Sequence, residues 1–281
     1  MSIGEGAFHI LAGLLKSRSG VVLGRDKAHF LESRLLPVAA RAKLPDIDAL
    51  AAALLRPGSE GLAVETVEAT LNNETYFYRD AAPFELLRNS VLPALRRERR
   101  AARHLRIWCA AASTGQEPYS IAMMLADDAD AWAGWNVEIV ATDLSRRALD
   151  RAEAGVYSQF EVQRGLPIQA LLRHFDKEGG HWRLSRDIRR RVRFRQANLA
   201  QSFAHLGAFD VVLCRNVLMY FDAAAKADIL ARMRQMMPTD GCLLLGAAET
   251  VLGLGVDFRP DWDNRGLYRA GAADLPAVAS A

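Results

Sequence analysis

Cysteine is scarce in this sequence. The three cysteines, Cys109, Cys214 and Cys242, lie inside apolar runs, and none has a second cysteine or a histidine at the spacing of metal ligands. Isolated cysteines of this kind are typical of buried, reduced thiols rather than of a disulfide framework or a zinc site. We therefore expect no disulfide and no bound metal.

Long hydrophobic runs and an export signal are also missing. No uninterrupted apolar run approaches the roughly 18 residues of a membrane span. The N-terminus lacks a charged and then apolar stretch that ends in a small-residue cleavage site. Both features predict a cytoplasmic protein without membrane insertion.

An excess of one charge is absent as well, because 36 lysines and arginines face 33 acidic residues and the net charge is +3. This balance does not indicate a general affinity for nucleic acid. Arginine is nevertheless concentrated in RRERRAAR at 96–103 and in RLSRDIRRRVRFR at 183–195. Each segment can be an interaction surface or a solvated face.

The apolar pattern divides the chain into a helical part and an α/β part. Residues 1–70 show only helical periods, which predicts an all-helical N-terminal domain. A linker and cofactor-lining segment at 71–103 leads into residues 104–270, where short apolar runs alternate with helical stretches. This alternation predicts a mostly parallel sheet with helices on both faces. The apolar runs are LRIWCAA, VEIVATD, RVRFRQANL, FDVVLCRN and GCLLLGAAE.

Two further features complete the predicted organisation. The turn at Gly179 and Gly180 predicts a small antiparallel β insert at about 156–195. The residues at 271–281 are small and aperiodic, and this predicts a disordered tail. No heptad repeat or self-complementary apolar patch is visible, so we expect a monomer.

Ligands of an open parallel sheet bind beyond the carboxyl ends of its strands, so the residues after each apolar run are candidates for a binding site. After the first run, AAASTGQEPYS contains one glycine, Gly115, and not the three glycines of a dinucleotide-binding loop. Glu117 at the start of the following helix would repel a diphosphate. The loop therefore favours a cofactor that carries a positive group and no phosphate.

Polar residues also follow the next three apolar runs. Asp143 ends the second run. A carboxylate at this position can accept hydrogen bonds from both hydroxyls of a ribose, or it can cap the following helix. Asn198 and Leu199 end the third run, and the amide can read the edge of a purine. Asn216 and Val217 end the fourth run. A nucleoside with a positive group and no phosphate describes S-adenosylmethionine.

Five motifs, in order over about residues 8–270, resemble those of the CheR family, the methyltransferases that esterify glutamates on bacterial chemotaxis receptors. The motifs are LNNETYFYRD, IWCAAASTGQEPYSIAMML, ATDLS, FDVVLCRNVLMYFD and GCLLLGAAE. The resemblance implies a Rossmann-like S-adenosylmethionine-dependent methyltransferase sheet with a small antiparallel β insert after the helical domain. It also implies that S-adenosylhomocysteine is the product and that the partner is the acidic cytoplasmic coiled-coil region of chemoreceptors.

The resemblance further implies roles for single residues. Arg79, in the boundary segment TLNNETYFYRD, would hold a carboxylate of the cofactor or of the substrate and is the first catalytic candidate. By its position just past Asn216, and not by the resemblance, Tyr220 is a second candidate that would shape the acceptor channel, or it is a core aromatic. The aromatics of the boundary segment can be a hydrophobic staple between domains. Family members often carry Phe at Tyr78 and Glu at Gln116. The implied cofactor contacts are Asn73, Thr75, Arg79, Glu117, Asp143, Asn198, Leu199, Asn216 and Val217.

Methyl transfer to a glutamate needs no general base, because a carboxyl with a pKa of about 4.3 is already ionised at neutral pH. Alignment and desolvation would supply catalysis.

The residues alone leave two alternatives open. The arginine segments suggest a nucleic-acid methyltransferase, although RNVLMYF at 215–221 differs from the Asn-Pro-Pro-Tyr of base amino methylases. The other alternative is a binding module that senses the cofactor without turnover.

Overall fold

The computed structural model of the chain describes residues 3–271. The disordered tail predicted at 271–281 lies outside the described residues, except for its first residue. The helices, numbered in chain order, are α1 (Glu5–Ser19), α2 (Ala28–Arg41), α3 (Ile47–Leu54), α4 (Glu60–Thr70), α5 (Ala82–Leu86), α6 (Leu92–Glu98), α7 (Gln116–Asp127), α8 (Arg146–Ala154), α9 (Gln159–Gln163), α10 (Ile168–His174), α11 (Arg186–Arg189) and α12 (Ala223–Gln235). The strands are β1 (His104–Ala110), β2 (Asn136–Asp143), β3 (Val156–Ser158), β4 (Phe175–Glu178), β5 (His181–Leu184), β6 (Val192–Gln196), β7 (Val211–Cys214), β8 (Cys242–Leu245), β9 (Phe258–Pro260) and β10 (Leu267–Ala270).

Helices α1 to α4 pack around an apolar core of their own. Leu11, Leu31 and Leu50 are fully buried there, because apolar residues three or four positions apart fall on one face of a helix. Helix α1 ends at Gly20, which has a φ of 75° that glycine adopts without steric cost. A Cβ atom at Gly20 would lie 2.7 Å from the ring of Phe221. This glycine therefore also permits close contact between the helical part and the α/β part.

The segment between the helical part and the first strand is itself largely helical. Helices α5 and α6 are joined by a π-helical stretch, Leu87–Val91. Phe84, Leu92 and Leu95 from this segment are buried in the core on one face of the main sheet. The second half of the segment predicted as a linker is therefore part of the α/β core.

The main sheet has seven strands in the order β6-β2-β1-β7-β8-β10-β9. Strands β6, β2, β1, β7 and β8 are parallel, which confirms the predicted mostly parallel α/β sheet. Strand β10 is antiparallel to both β8 and β9, and this antiparallel edge was not predicted. Because β1 lies between β2 and β7, the strand order reverses beside β1 and leaves a crevice at the carboxyl ends of these strands.

Helices cover both faces of the main sheet, as expected. One core contains side chains of α5, α6 and α7 and of the insert, and the other contains side chains of α12. Cys109, Cys214 and Cys242 are free and buried within these two cores, which confirms the prediction of buried reduced thiols. Within residues 3–271, no helix is long and apolar enough to cross a membrane.

The small insert is a three-stranded antiparallel sheet in the order β3-β5-β4. The hairpin between β4 and β5 turns at Gly179, where φ is 61°, so the glycine pair does form the predicted turn. The strands of the insert end at Leu184. Residues 192–195, which the prediction included in the insert, belong to β6 and pair with β2 at the edge of the main sheet.

Candidate functional site

A cleft lies at the carboxyl ends of the parallel strands, between the main sheet and the helical part. Its space, including the open mouth, is about 1140 Å³. The cleft brings together every residue that the sequence analysis assigned to the site. The assigned residues in its lining are Asn73, Thr75, Arg79, Glu117, Asp143, Asn198, Leu199, Asn216, Val217 and Tyr220.

The loop between β1 and α7 passes under the cleft in a conformation that few residues adopt. Ala111 and Ser113 have φ values of 57° and 52°, and Gly115 has a φ of 92°. A Cβ atom at Gly115 would lie 2.8 Å from the Cβ of Ala152 in α8, so only glycine fits between these helices. Left-handed backbone at non-glycine residues persists where surrounding contacts hold it. Here Ser113 Oγ donates to the carbonyl oxygen of Asn73 over 2.7 Å.

Asp143 is the buried acid at the end of β2. Its two carboxylate oxygens accept hydrogen bonds from the backbone amides of Ser113 and Ser145, each over 2.8 Å. Burial raises the pKa of Asp143, and these amide bonds oppose the shift. The helix cap is provided by Ser145, whose Oγ accepts from the amide of Ala148. A carboxylate can accept about four hydrogen bonds, so Asp143 keeps capacity for the two hydroxyls of a ribose.

Glu117 lies in the first turn of α7 and is paired with Arg215. Arg215 Nη1 donates to Glu117 Oε2 over 2.9 Å, and both side chains are buried. Burial raises the pKa of Glu117, while the charge of Arg215 acts in the opposite direction. The negative charge of Glu117, which favours a cofactor with a positive group, is therefore partly compensated by Arg215.

Arg215 follows β7 directly and was not among the predicted site residues. Its Nη2 also donates to the carbonyl oxygen of Arg79 over 2.7 Å and to Asp80 Oδ2 over 2.9 Å. The turn that it holds is left-handed at Tyr78, Asp80 and Ala81, with φ values of 51°, 69° and 43°. An arginine placed directly after the fully apolar run VVLC is the signal that could have identified it.

The boundary segment separates into packing residues and cleft residues. Phe77 is fully buried against Tyr157 and Phe175 of the insert, with ring centroids 4.9 and 5.6 Å apart. Arg79 instead faces the cleft, and its Nη1 donates to the carbonyl oxygen of Glu74 over 2.9 Å. The segment therefore lines the cleft, but its buried aromatic packs within the α/β core and not as a staple between the helical part and the α/β part.

The helical part is tied to the cleft by polar contacts. Asn198 Nδ2 donates to the carbonyl oxygen of Arg18 over 2.7 Å. Tyr220 accepts from the amide of Val22 through its carbonyl oxygen, over 2.9 Å, and from Asn72 Nδ2 through its hydroxyl, over 2.8 Å. Asn198 and Tyr220 therefore join the two parts of the chain as well as lining the cleft, and Tyr220 is not a fully buried core aromatic.

The two arginine-rich segments lie away from this cleft. RRERRAAR ends at Arg103, directly before β1, and therefore at the amino edge of the parallel strands. Arg99 within it is paired with Asp240 over 2.6 Å and with Asp210 over 3.1 Å. Most of the second segment precedes or lies along the edge strand β6. Neither segment contributes to the cleft lining.

The residues of the cleft fit an adenosyl cofactor with a sulfonium and an amino-acid end. Asp143 offers free acceptor capacity, and Asn216 Oδ1 is a buried acceptor that has no hydrogen-bond partner among the described residues. The loop after β1 has a glutamate where a diphosphate site has a cradle of glycine amides. A parallel sheet with this cleft at its strand switch point defines the class of S-adenosylmethionine-dependent methyltransferases.

Comparison with known proteins narrows the class to a family. Residues 73–260 match the family model described as CheR methyltransferase, SAM binding domain. The chain is 40% identical over 258 residues to chemotaxis protein methyltransferase Cher2 of Pseudomonas putida, which covers 90% of this chain and 94% of the relative. It is 32% identical over 255 residues to the chemotaxis protein methyltransferase of Escherichia coli, with 89% of this chain and 86% of that one covered. The chain belongs to the CheR family, and it is a methyltransferase that uses S-adenosylmethionine.

Proposed function

We propose that this enzyme transfers a methyl group from S-adenosylmethionine to glutamate side chains in the acidic cytoplasmic coiled-coil region of bacterial chemoreceptors, and that it acts in the cytoplasm. The observation that carries the proposal is the cleft, because four of the five family motifs, which are far apart in sequence, supply residues to its lining. The similar proteins of Pseudomonas putida and Escherichia coli are named chemotaxis protein methyltransferases.

The proposed roles of the cofactor-contacting residues follow from their positions in the cleft. S-adenosylmethionine, when bound, supplies a methyl group on a positively charged sulfur. Asp143 would accept hydrogen bonds from the ribose hydroxyls, and Asn216 Oδ1 would accept from a donor of the cofactor. Leu199 and Val217 would give apolar contacts to the purine. Glu117, held by Arg215, would accept from the ammonium of the methionine end. The remaining proposed contacts also line the cleft; they are Asn73, Thr75, Arg79 and Asn198.

The reaction needs no proton transfer by the protein. The bound cofactor would supply the methyl carbon to a carboxylate oxygen of the acceptor, with its bond to sulfur broken and S-adenosylhomocysteine left as a neutral thioether. The acceptor carboxylate is ionised at neutral pH. The described residues that line the cleft include no histidine, and their two buried carboxylates are bound to Arg215 and to backbone amides. These residues therefore hold and align the reactants.

Arg79 is the proposed catalytic residue that orients a carboxylate in the cleft, and Tyr220 would shape the approach of the acceptor. The arginine-rich segments are not proposed as the acceptor surface, because they lie at the opposite edge of the sheet or along its side. A strong positive field around the acceptor would also stabilise the ground state of the nucleophile and slow the transfer.

Incubation with methyl-labelled S-adenosylmethionine tests the proposed function. Membranes that contain chemoreceptors should gain label that alkali releases as methanol, whereas RNA should gain none. Receptors in which the acceptor glutamates are replaced by glutamine serve as the matched control and should stay unlabelled. Label in RNA, or label on receptors that resists alkali, would reject the proposal.

A further inference from the structure

Glu249 lies four residues beyond the end of β8 and receives four backbone hydrogen bonds. Its Oε2 accepts from the amides of Gly246, over 2.9 Å, and of Asn216, over 2.7 Å. Its Oε1 accepts from the amides of Val217, over 2.9 Å, and of Leu218, over 2.7 Å. One carboxylate thus satisfies three successive amides of the loop after β7 and one amide of the loop after β8.

Successive backbone amides that point to one place form an anion-binding concavity. In this loop the anion is supplied by the protein itself, because Glu249 fills the concavity. Asn216 is the first of the three residues whose amides bind Glu249, and it has a φ of 59°. Non-glycine residues keep this conformation only where the surroundings hold it. The backbone amide of Asn216 is held by Glu249 Oε2.

The loop held by Glu249 forms part of the cleft wall. Asn216 and Val217 line the cleft, and Asn216 carries a buried oxygen without a hydrogen-bond partner in the described part of the chain. Glu249 is not part of the cleft lining and instead lines a separate hollow near the β9–β10 hairpin. The approach of the two loops is close, since a Cβ atom at Gly246 would lie 2.8 Å from Asn216 Nδ2. Glu249 therefore acts on the cleft by holding the loop, and its charge also acts on Glu117 in the cleft lining.

We propose that Glu249 is a positioning residue, which fixes the loop 216–218 so that the side chain of Asn216 faces the cofactor. The inference rests on the proposed function in one respect, namely that Asn216 and Val217 contact the cofactor.

Glu249→Gln is the test variant, because it keeps the size of the side chain. The substitution replaces one carboxylate oxygen by an NH2 group, which faces amide donors. Two of the four backbone amides therefore lose their acceptor. We expect the dissociation constant of S-adenosylhomocysteine, measured by calorimetry, to rise at least tenfold. The matched control is Glu161→Gln in the insert, since Glu161 also accepts a hydrogen bond from a backbone amide, that of Ser158, over 2.9 Å. The control should bind like the wild type.

A double-mutant comparison with Asn216→Ala separates positioning from general destabilisation. If Glu249 acts by holding Asn216, the dissociation constant of S-adenosylhomocysteine for the double variant should lie within about twofold of that for the weaker-binding single variant. If Glu249→Gln does not fold, Glu249→Asp replaces it, because the charge is kept while the carboxylate is withdrawn by one carbon; a rise of at least fivefold in the dissociation constant is expected.

Wild-type affinity in a folded Glu249→Gln or Glu249→Asp variant, or losses that multiply in the double variant, would overturn the inference. These outcomes are independent of the methyl acceptor, because they are read from the binding of S-adenosylhomocysteine alone. Failure of the proposed function would instead appear as a wild-type enzyme that forms no ester on receptors.

Discussion

Arg215 and Glu117 form a buried ion pair, with 2.9 Å between Nη1 and Oε2 and only 1% of the Arg215 side chain exposed. The same guanidinium holds the carbonyl of Arg79 and the carboxylate of Asp80. It thereby joins the end of β7, the start of α7 and the boundary segment. A buried ion pair is weak support for stability by itself, so the main consequence of this pair is the fixed placement of three segments around the cleft.

Replacement of Arg215 by Met should destabilise the fold strongly. Glu117 and the carbonyl of Arg79 would lose their partner, and an uncompensated buried charge costs about 3 to 5 kcal/mol. The free energy of unfolding in urea at pH 7 measures the effect. Arg164→Met is the matched control, because the pair of Arg164 with Glu74 is exposed, and such pairs contribute about 0 to 1 kcal/mol. Equal losses of unfolding free energy in the two variants would contradict the role of Arg215 in holding the three segments together.

The direction of the pKa shift at Glu117 predicts a pH dependence. Burial, opposed by Arg215, raises the pKa of Glu117 above its ordinary value, so the folded state binds more protons than the unfolded state as pH rises from about 4.3. The contribution of Glu117 to stability therefore falls as pH rises through this window. The unfolding free energy of Glu117→Gln minus that of the wild type should increase between about pH 4 and 7. A decrease would show that Arg215 dominates and lowers the pKa.

Arg79→Ala should reduce the rate of methyl transfer while the fold is retained. Loss of a group that aligns a reactant can cost on the order of 100-fold in rate. Arg164→Ala is the control, since its guanidinium lies 4.2 Å from the centroid of the Tyr76 ring, but outside the cleft lining. Weaker binding of S-adenosylhomocysteine in Arg79→Ala would assign Arg79 to the cofactor carboxylate, and unchanged binding would assign it to the acceptor. Full activity would leave Arg79 without a catalytic role.

Asp143→Ala should weaken the binding of S-adenosylhomocysteine by about 1 to 3 kcal/mol, because the ribose hydroxyls lose their acceptor. The thermal midpoint should also fall, since the amides of Ser113 and Ser145 lose theirs. Calorimetry well below the midpoint separates the two effects. Asp150→Ala, an exposed acid in α8 that pairs with Arg146, should change neither quantity much. Unchanged affinity in Asp143→Ala would remove Asp143 from the site.

Tyr220→Phe removes one hydroxyl that accepts a hydrogen bond from Asn72. The backbone bond from Val22 remains, so the loss in unfolding free energy should be about 0.5 to 1.5 kcal/mol. If the hydroxyl shapes the acceptor channel, the KM for receptor should rise while the affinity for S-adenosylhomocysteine stays constant. Normal kinetics with a small loss of stability would restrict Tyr220 to joining the two parts of the chain.

Some elements could be predicted because local patterns reflect burial. The second halves of β1 and β2 and the whole of β7 are mostly apolar, since these stretches are buried on both faces of a parallel sheet. The antiparallel edge could not be predicted in this way. Strands β9 and β10 have three and four residues, and β9 ends in a proline, so neither shows a readable period.

The sequence alone determined the alternation of the parallel strands with helices along the chain, the family motifs and the positions of polar residues after these strands. Each of these features is encoded within a few neighbouring residues. Only the tertiary structure decided which of these residues act together. Arg215 meets Glu117 across 98 positions of the chain, and Glu249 meets Asn216 across 33. Such pairings depend on how strands are ordered in space, and no local period or spacing records that order.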